Sequence, residues 1–251
     1  MTAKVLGMQH HEPTTHRNAR VRILRLLVGL LIVLAIVLIA AALRAAPVDA
    51  DQGRPPGRSE EDRLTAWAAG VMRRLEPAAP WASTYESSAR VLVQIAIERP
   101  LYPGVADGVK RTISVLLGLA YYESNFLADA EGDCITASGK LVPSVSGRCK
   151  DSTAHSFCMF QLNRSNFRTL GTTREEVQTD LAVCAKNALR MIHASFAICH
   201  SRPLDDRLAN YAAGGEGCGG PKGEGVDLSR HRMKKATWIH SLPVLVPTNI
   251  P

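Results

Sequence analysis

From residue 59 onward the apolar positions recur at helical spacing, and one stretch interrupts the rhythm for long. Leu64, Trp67, Val71 and Leu75 share one face of a first helix, and Ser59 with Asp62 marks its start as a capping-box-like pair in which Asp replaces the usual Glu. A second helix is predicted from about Tyr85 to Glu98, where Pro100 stops it. A third, from about Val105 to Ser124, turns Ile113, Leu116, Leu117 and Ala120 inward. Residues 127–153 mix glycine, cysteine and polar residues and predict an irregular excursion, with a small hairpin around "ASGKLVPSVSG". "AHSFCMFQLN" reads as a short helix or turn. Thr172 and Glu175 form a capping box for a helix running through Leu181, Cys184, Ala188 and Ile192 to about Cys199. Asp205 to Ala213 is a shorter helix ended by "GGEGCGG", and an amphipathic piece from about Leu228 to Leu242 follows. The fold class is mostly α.

The region before residue 59 has a different pattern. Leu26 to Leu43 is apolar throughout and bracketed by Arg25 and Arg44. As a helix at about 1.5 Å per residue it approaches the roughly 30 Å of a bilayer's hydrocarbon core. The arginines before it place the N-terminus in the cytoplasm and the rest outside. A buried core helix would show a polar face, and this run has none. "AAPVDA" leaves a cleaved signal peptide as the alternative, although the run is long for one. The expected organisation is a cytoplasmic tail (1–22), a transmembrane signal-anchor (23–44), a Pro/Gly-rich linker (45–58), one domain (59–243) and a C-terminal tail (244–251). No small-xxx-small seam in the anchor favours dimerisation through the membrane.

Composition narrows the function. With 251 residues and 46% hydrophobic content the chain can bury one sizeable core. The net charge of +7 suggests an anionic partner, but Lys4, Arg17, Arg20, Arg22, Arg25 and Arg44, against Glu12 and Asp49, put more than half of it in residues 1–50. Nothing in the remainder calls for nucleic acid. All six cysteines (Cys134, Cys149, Cys158, Cys184, Cys199 and Cys218) follow the apolar run, and the even number suits a disulfide-bonded domain in an oxidising compartment. No pair has the CxxC spacing of a zinc or redox site. Three disulfides allow many connectivities, of which Cys134 with Cys149 is the most local.

The chemistry is concentrated where the third helix ends. "LAYYESNF" finishes an apolar helix on Glu123, at the negative end of the helix dipole and among Tyr121, Tyr122 and Phe126. Such surroundings disfavour the ionised carboxyl, which lets it stay protonated near neutral pH and act as a general acid. A glycosidic bond needs such a proton donor for its departing oxygen.

Three stretches in order, "YYESNF", "FCMFQLN" and "LANYAAGGEG", resemble the soluble lytic transglycosylase family, whose domain is similar to goose-type lysozyme. Glu123-Ser124 matches that family's Glu-Ser helix end. Met159-Phe160-Gln161-Leu162 matches a Gly-Leu-Met-Gln-Ile segment after its leading glycine. Tyr211, Ala213 and Gly214 match within an Ala-Tyr-Asn-Ala-Gly segment. "CAKNALRMI" falls where the family has an intervening helix, and the resemblance spans about residues 85–243. The chain departs from the pattern in having Cys158 for glycine, Ala212 for asparagine and a longer gap between Glu123 and Gln161, filled by the cysteine-containing excursion.

The resemblance implies a lysozyme-like domain that cleaves the bond between N-acetylmuramic acid and N-acetylglucosamine in peptidoglycan glycan strands, without cofactor or metal. Glu123 would protonate the departing oxygen and then, as base, assist attack of the muramic C6 hydroxyl on C1, leaving a 1,6-anhydro sugar. Ser124 and Gln161 would position sugar or carboxyl, Met159 and Phe160 would line the cleft, and Tyr211 would hydrogen-bond near Glu123. Each of these residues also has a purely structural reading, as core or as a solvated helix end. A goose-type hydrolase is the alternative enzyme, with Asp129, Asp133 or Asp151 activating water. A non-catalytic peptidoglycan-binding module of the same fold is the alternative outside catalysis. The expected location is the bacterial inner membrane as a single-pass protein with the domain in the periplasm or extracytoplasmic space, or secretion after signal cleavage, and a cell-envelope protein partner remains open. The eight histidines form no catalytic pattern.

Overall fold

The computed structural model describes residues 58–150, 152–213, 217–219 and 223–244. The segments expected to be a cytoplasmic tail (1–22) and a transmembrane anchor (23–44), nearly all of the expected linker and residues 245–251 lie outside these. Among the described residues no helix is long and apolar enough to cross a membrane. Eight helices are present among them: α1 Arg58–Leu75, α2 Tyr85–Glu98, α3 Gly108–Ser124, α4 Phe167–Leu170, α5 Arg174–Thr179, α6 Leu181–Ile198, α7 Ala209–Ala212 and α8 Glu224–Ser241. Three 3-10 turns (Ala82–Thr84, Arg164–Asn166 and Leu204–Asp206) and five two-residue strands complete the regular structure among the described residues: β1 Glu131–Gly132, β2 Cys134–Ile135, β3 Leu141–Val142, β4 Ser156–Phe157 and β5 Leu162–Asn163.

The body is mostly helical and is built around α3. Every residue from Thr112 to Ala120 is buried, the mark of a helix surrounded on all sides. Its polar residues are satisfied within the fold: the Thr112 and Ser114 hydroxyls donate to the carbonyls of Gly108 and Lys110, and Leu101 N–H donates to Thr112 Oγ1 at 2.9 Å. The most extensive helix contact is α3 on α8, followed by α1 on α2. Gly118 makes the first of these possible, because a Cβ there would stand 3.1 Å from the Arg232 carbonyl oxygen and 3.2 Å from the Ala236 nitrogen.

Several elements differ from the sequence reading for local reasons. α1 begins at Arg58, so Ser59 lies inside its first turn, and Glu60 and Glu61 supply the negative charge that suits a helix N-terminus. α3 begins at Gly108 rather than near Val105, after a turn in which Gly104 and Asp107 take positive φ. The capping box is Thr173 with Glu176, one residue later than expected: the Thr172 N–H is already bonded to the Phe167 carbonyl at the end of α4. The long helix to Cys199 is two helices, because Asp180 accepts from Ala182 and Val183 N–H and so caps α6 afresh. Asp205 to Ala213 is likewise a 3-10 turn (Leu204–Asp206) followed by α7. The last helix starts earlier than expected, at Glu224.

The excursion contains the expected hairpin, with β2 antiparallel to β3 and Cys134 opposite Val142. "AHSFCMFQLN", read as a helix or turn, is instead a second hairpin: β4 pairs with β5 and also with β1, giving the order β1-β4-β5. The turn between β4 and β5 has positive φ at Cys158 and Gln161. Three disulfides are formed, Cys134–Cys149, Cys158–Cys184 and Cys199–Cys218, so the most local pairing named from the sequence is one of them.

Candidate active site

The C-terminus of α3 sets the position of Glu123. Asn125 and Phe126 both adopt left-handed backbone, and their N–H groups return to the carbonyls of Ala120 and Tyr121. A bulky residue is costly in that conformation, and Phe126 is held there by complete burial and by edge-on contact with Tyr85 at 5.9 Å between centroids. Trp81 Nε1 donates to the Asn125 carbonyl at 3.0 Å and braces the same exit. The chain therefore turns sharply away just after Glu123-Ser124.

The β4–β5 turn packs against this exit. Cys158 and Met159 N–H donate to the carbonyls of Ala130 and Ala128, and the Ser124 hydroxyl lies within donating distance of the Met159 carbonyl (2.8 Å) and of the Ala120 carbonyl (3.2 Å). Ser124 thus joins two backbone segments. Met159 is fully buried and belongs to the core, not to a cleft wall; the Phe160 side chain is buried with it. Met159 is absent from the cleft lining, whereas Phe160, though buried in the same core cluster, also borders the cleft. Gln161 donates from Nε2 to the Cys158 carbonyl at 3.1 Å. A Cβ at Gly132 would stand 1.9 Å from Gln161 Oε1, so only glycine on β1 lets the amide lie there.

Two short bonds fix Tyr211 on α7. Its N–H donates to the buried Ser195 hydroxyl of α6 (3.0 Å), and its own hydroxyl donates to the Phe160 carbonyl (2.8 Å) rather than toward Glu123. α8 is tied to the turn before α7 by Arg230, which grips both oxygens of the buried Asp206 at 2.7 and 3.0 Å, and by Ser229, which bonds the Asp205 carbonyl and Leu208 N–H.

These constraints converge on one cleft, of about 130 Å³, lined among others by Glu123, Gln161, Tyr211, Arg232, Asn163 and Asn166. Pockets that enclose a small ligand are usually about 300–1,000 Å³, so an extended ligand would lie across this one. Phe160 and Ala212 also line it. The three stretches singled out in the sequence therefore meet. Arg232 was not singled out: its Nη2 donates to Glu123 Oε1 at 2.6 Å, and the two side chains are 11% and 16% exposed. The available signal was a cation on the inward side of α8, next to buried Met233 and one helical turn from buried Ser229 and Ala236. Asn163 was also overlooked; its side chain accepts from Ser165 N–H and caps the turn after β5.

Burial pushes the Glu123 carboxyl above its usual range; the charge and hydrogen bond of Arg232 oppose this, and the nearby Asp133 charge adds to it. Burial, followed by the Glu123 charge, raises the Tyr211 phenol as well. Of the other acids considered, Asp133 sits at positive φ on the excursion and accepts from the Ser156 hydroxyl at 2.5 Å. Asp129 is ion-paired with Arg148, and Asp151 lies outside the described residues. Glu131 is structural: burial alone would raise it, but hydrogen bonds from Cys149 N–H and Gln178 and the charge of Arg174 hold it low. Asn210 accepts from Gly217 N–H and does not supply the amide that Ala212 lacks. No group of three His, Cys, Asp or Glu suited to a metal occurs among the described residues. Comparisons with protein-family models, with curated proteins and with solved structures find no match.

Proposed function

We propose that this chain is a membrane-anchored lytic transglycosylase with a lysozyme-like domain, acting on peptidoglycan glycan strands on the outer side of the membrane. The observation that carries the reading is the cleft itself, where a mostly buried carboxyl whose affinity for protons is raised meets Gln161 and Tyr211 from distant parts of the chain. The carboxyl donates its proton to the bridging oxygen as the C1–O bond breaks. It then takes the proton of the muramic C6 hydroxyl as that oxygen closes on C1, so neither water nor a cofactor is consumed. The three disulfides support an extracytoplasmic location.

One observation favours a second reading. The Asp133 charge adds to the raising of the Glu123 carboxyl, and a goose-type hydrolase would use this acid of the excursion to activate water. Mass spectrometry of muropeptides released from purified peptidoglycan decides between the two. Anhydromuramyl products, reduced about 100-fold or more in Glu123→Gln, are expected; reducing-end products lost in Asp133→Asn would establish the hydrolase. No release by the wild type, with glycan still bound, would reject both in favour of a binding module.

A further inference from the structure

Arg232 is the charged group of the cleft that the three motifs leave unexplained. It gives one N–H to Glu123, while its Nε and Nη1 are buried and have no partner among the described residues. Leaving those donors unpaired is costly, and a methionine at this position of α8 would avoid the cost. The helix is nonetheless held so that the guanidinium meets the carboxyl: Gly118 admits α8 close to α3 at the Arg232 carbonyl, and Arg230 and Ser229 anchor the preceding turn. The next cation on that side, Lys235, lies over the rings of Tyr121 and Trp238 at 4.6 and 5.3 Å.

We propose that Arg232 is the positioning residue for the acid: it holds the Glu123 carboxyl in one orientation and supplies the charge against which the carboxylate forms when its proton leaves for the glycosidic oxygen. This rests on the reading of Glu123 as the proton donor. A fixed cation at 2.6 Å stabilises the negative charge that develops on the carboxyl during transfer, and it needs no reorganisation to do so. Before transfer the same cation disfavours the protonated carboxyl. Low hydration and Asp133 on the excursion oppose it there, while Tyr211 faces the pair from α7 as a neutral phenol. When the C6 hydroxyl later returns a proton to Glu123, Arg232 restrains the carboxylate from swinging out of line.

The test uses the full chain in detergent micelles with ¹³C-carboxyl-labelled glutamate, the Glu123 resonance being the one absent from Glu123→Gln. In Arg232→Gln the Glu123 titration is expected to move up by about one pH unit or more, since a favourable cation has been removed. The alkaline limb of muropeptide release should move up with it, and turnover should fall about tenfold or more. Arg232→Lys, which keeps the charge and loses the planar fork, should titrate like the wild type and recover part of the turnover. A folded Arg232→Gln protein in which Glu123 titrates as before overturns the proposal. If that variant does not fold, an upward shift in folded Arg232→Lys overturns it instead. A wild type that releases no product while the titration still moves supports the pairing and removes the glycan-cleaving reading beneath it.

Discussion

Tyr211 shows how a side chain can sit at the expected place and make a different bond. The motif suggests a hydroxyl directed at Glu123, whereas the phenol donates to the Phe160 carbonyl and so ties α7 to the β4–β5 turn. Tyr211→Phe should therefore leave a buried carbonyl unpaired and cost about 1–2 kcal/mol of stability, read from urea unfolding. Turnover should fall only modestly, because Glu123 keeps its contact with Arg232. A loss of activity above 100-fold at unchanged stability would show that the phenol takes part in the proton transfer after all. Ser124 and Met159 stand outside the cleft lining: a hydroxyl within donating distance of two carbonyl oxygens and a fully buried thioether have structural work in this fold.

At the scale of elements, the contact of α3 with α8 decides whether there is a site. Gly118→Ala tests it. Alanine gains about 1 kcal/mol of helix propensity over glycine, while the added methyl presses on the backbone of Arg232 and Ala236 at a cost of about 1–3 kcal/mol. We expect net stability to fall by about 0–2 kcal/mol in urea unfolding and turnover to fall further than stability alone explains, because the displaced α8 carries Arg232. A protein stabilised by the full propensity gain of about 1 kcal/mol with normal turnover would mean that the two helices leave room for a methyl group at Gly118. Neither the Gly118 contact nor the Arg232 ion pair was legible beforehand: periodicity reports which face of a helix is inward, not which partner meets that face. Periodicity did identify α2 over Tyr85–Glu98, where a uniform 3.6-residue pattern ends cleanly before Pro100. It merged α5 with α6 because Asp180 caps a new helix without disturbing the apolar spacing.

Taken as a whole, the described body divides by the way it is held together. All three disulfides lie between Cys134 and Cys218, while α1, α2, α3 and α8 carry none and are held by apolar packing with ion pairs such as Arg232–Glu123 and Arg90–Asp62. Cys158–Cys184 spans 26 residues and anchors the turn that carries Gln161 to α6, so its replacement by a pair of alanines should cost about 3 kcal/mol. Hydrogen exchange under reducing conditions is expected to lose protection first in residues 131–163, with α3 the last to open. Simultaneous loss in α3 and the excursion would show a single cooperative unit and refute the division.

The sequence by itself determined the helical class, the excursion and its hairpin, and a carboxyl placed at a helix end among aromatic residues. These follow from local patterns: apolar spacing, turn residues, and the identity of the side chains around Glu123. The tertiary structure alone decided that "FCMFQLN" is a hairpin, how the cysteines pair, that Met159 is core, and that Arg232 stands against Glu123 across 109 residues of chain. The physical reason is that those outcomes depend on which surfaces exclude water together, and a contact between distant segments leaves no periodic trace in either one.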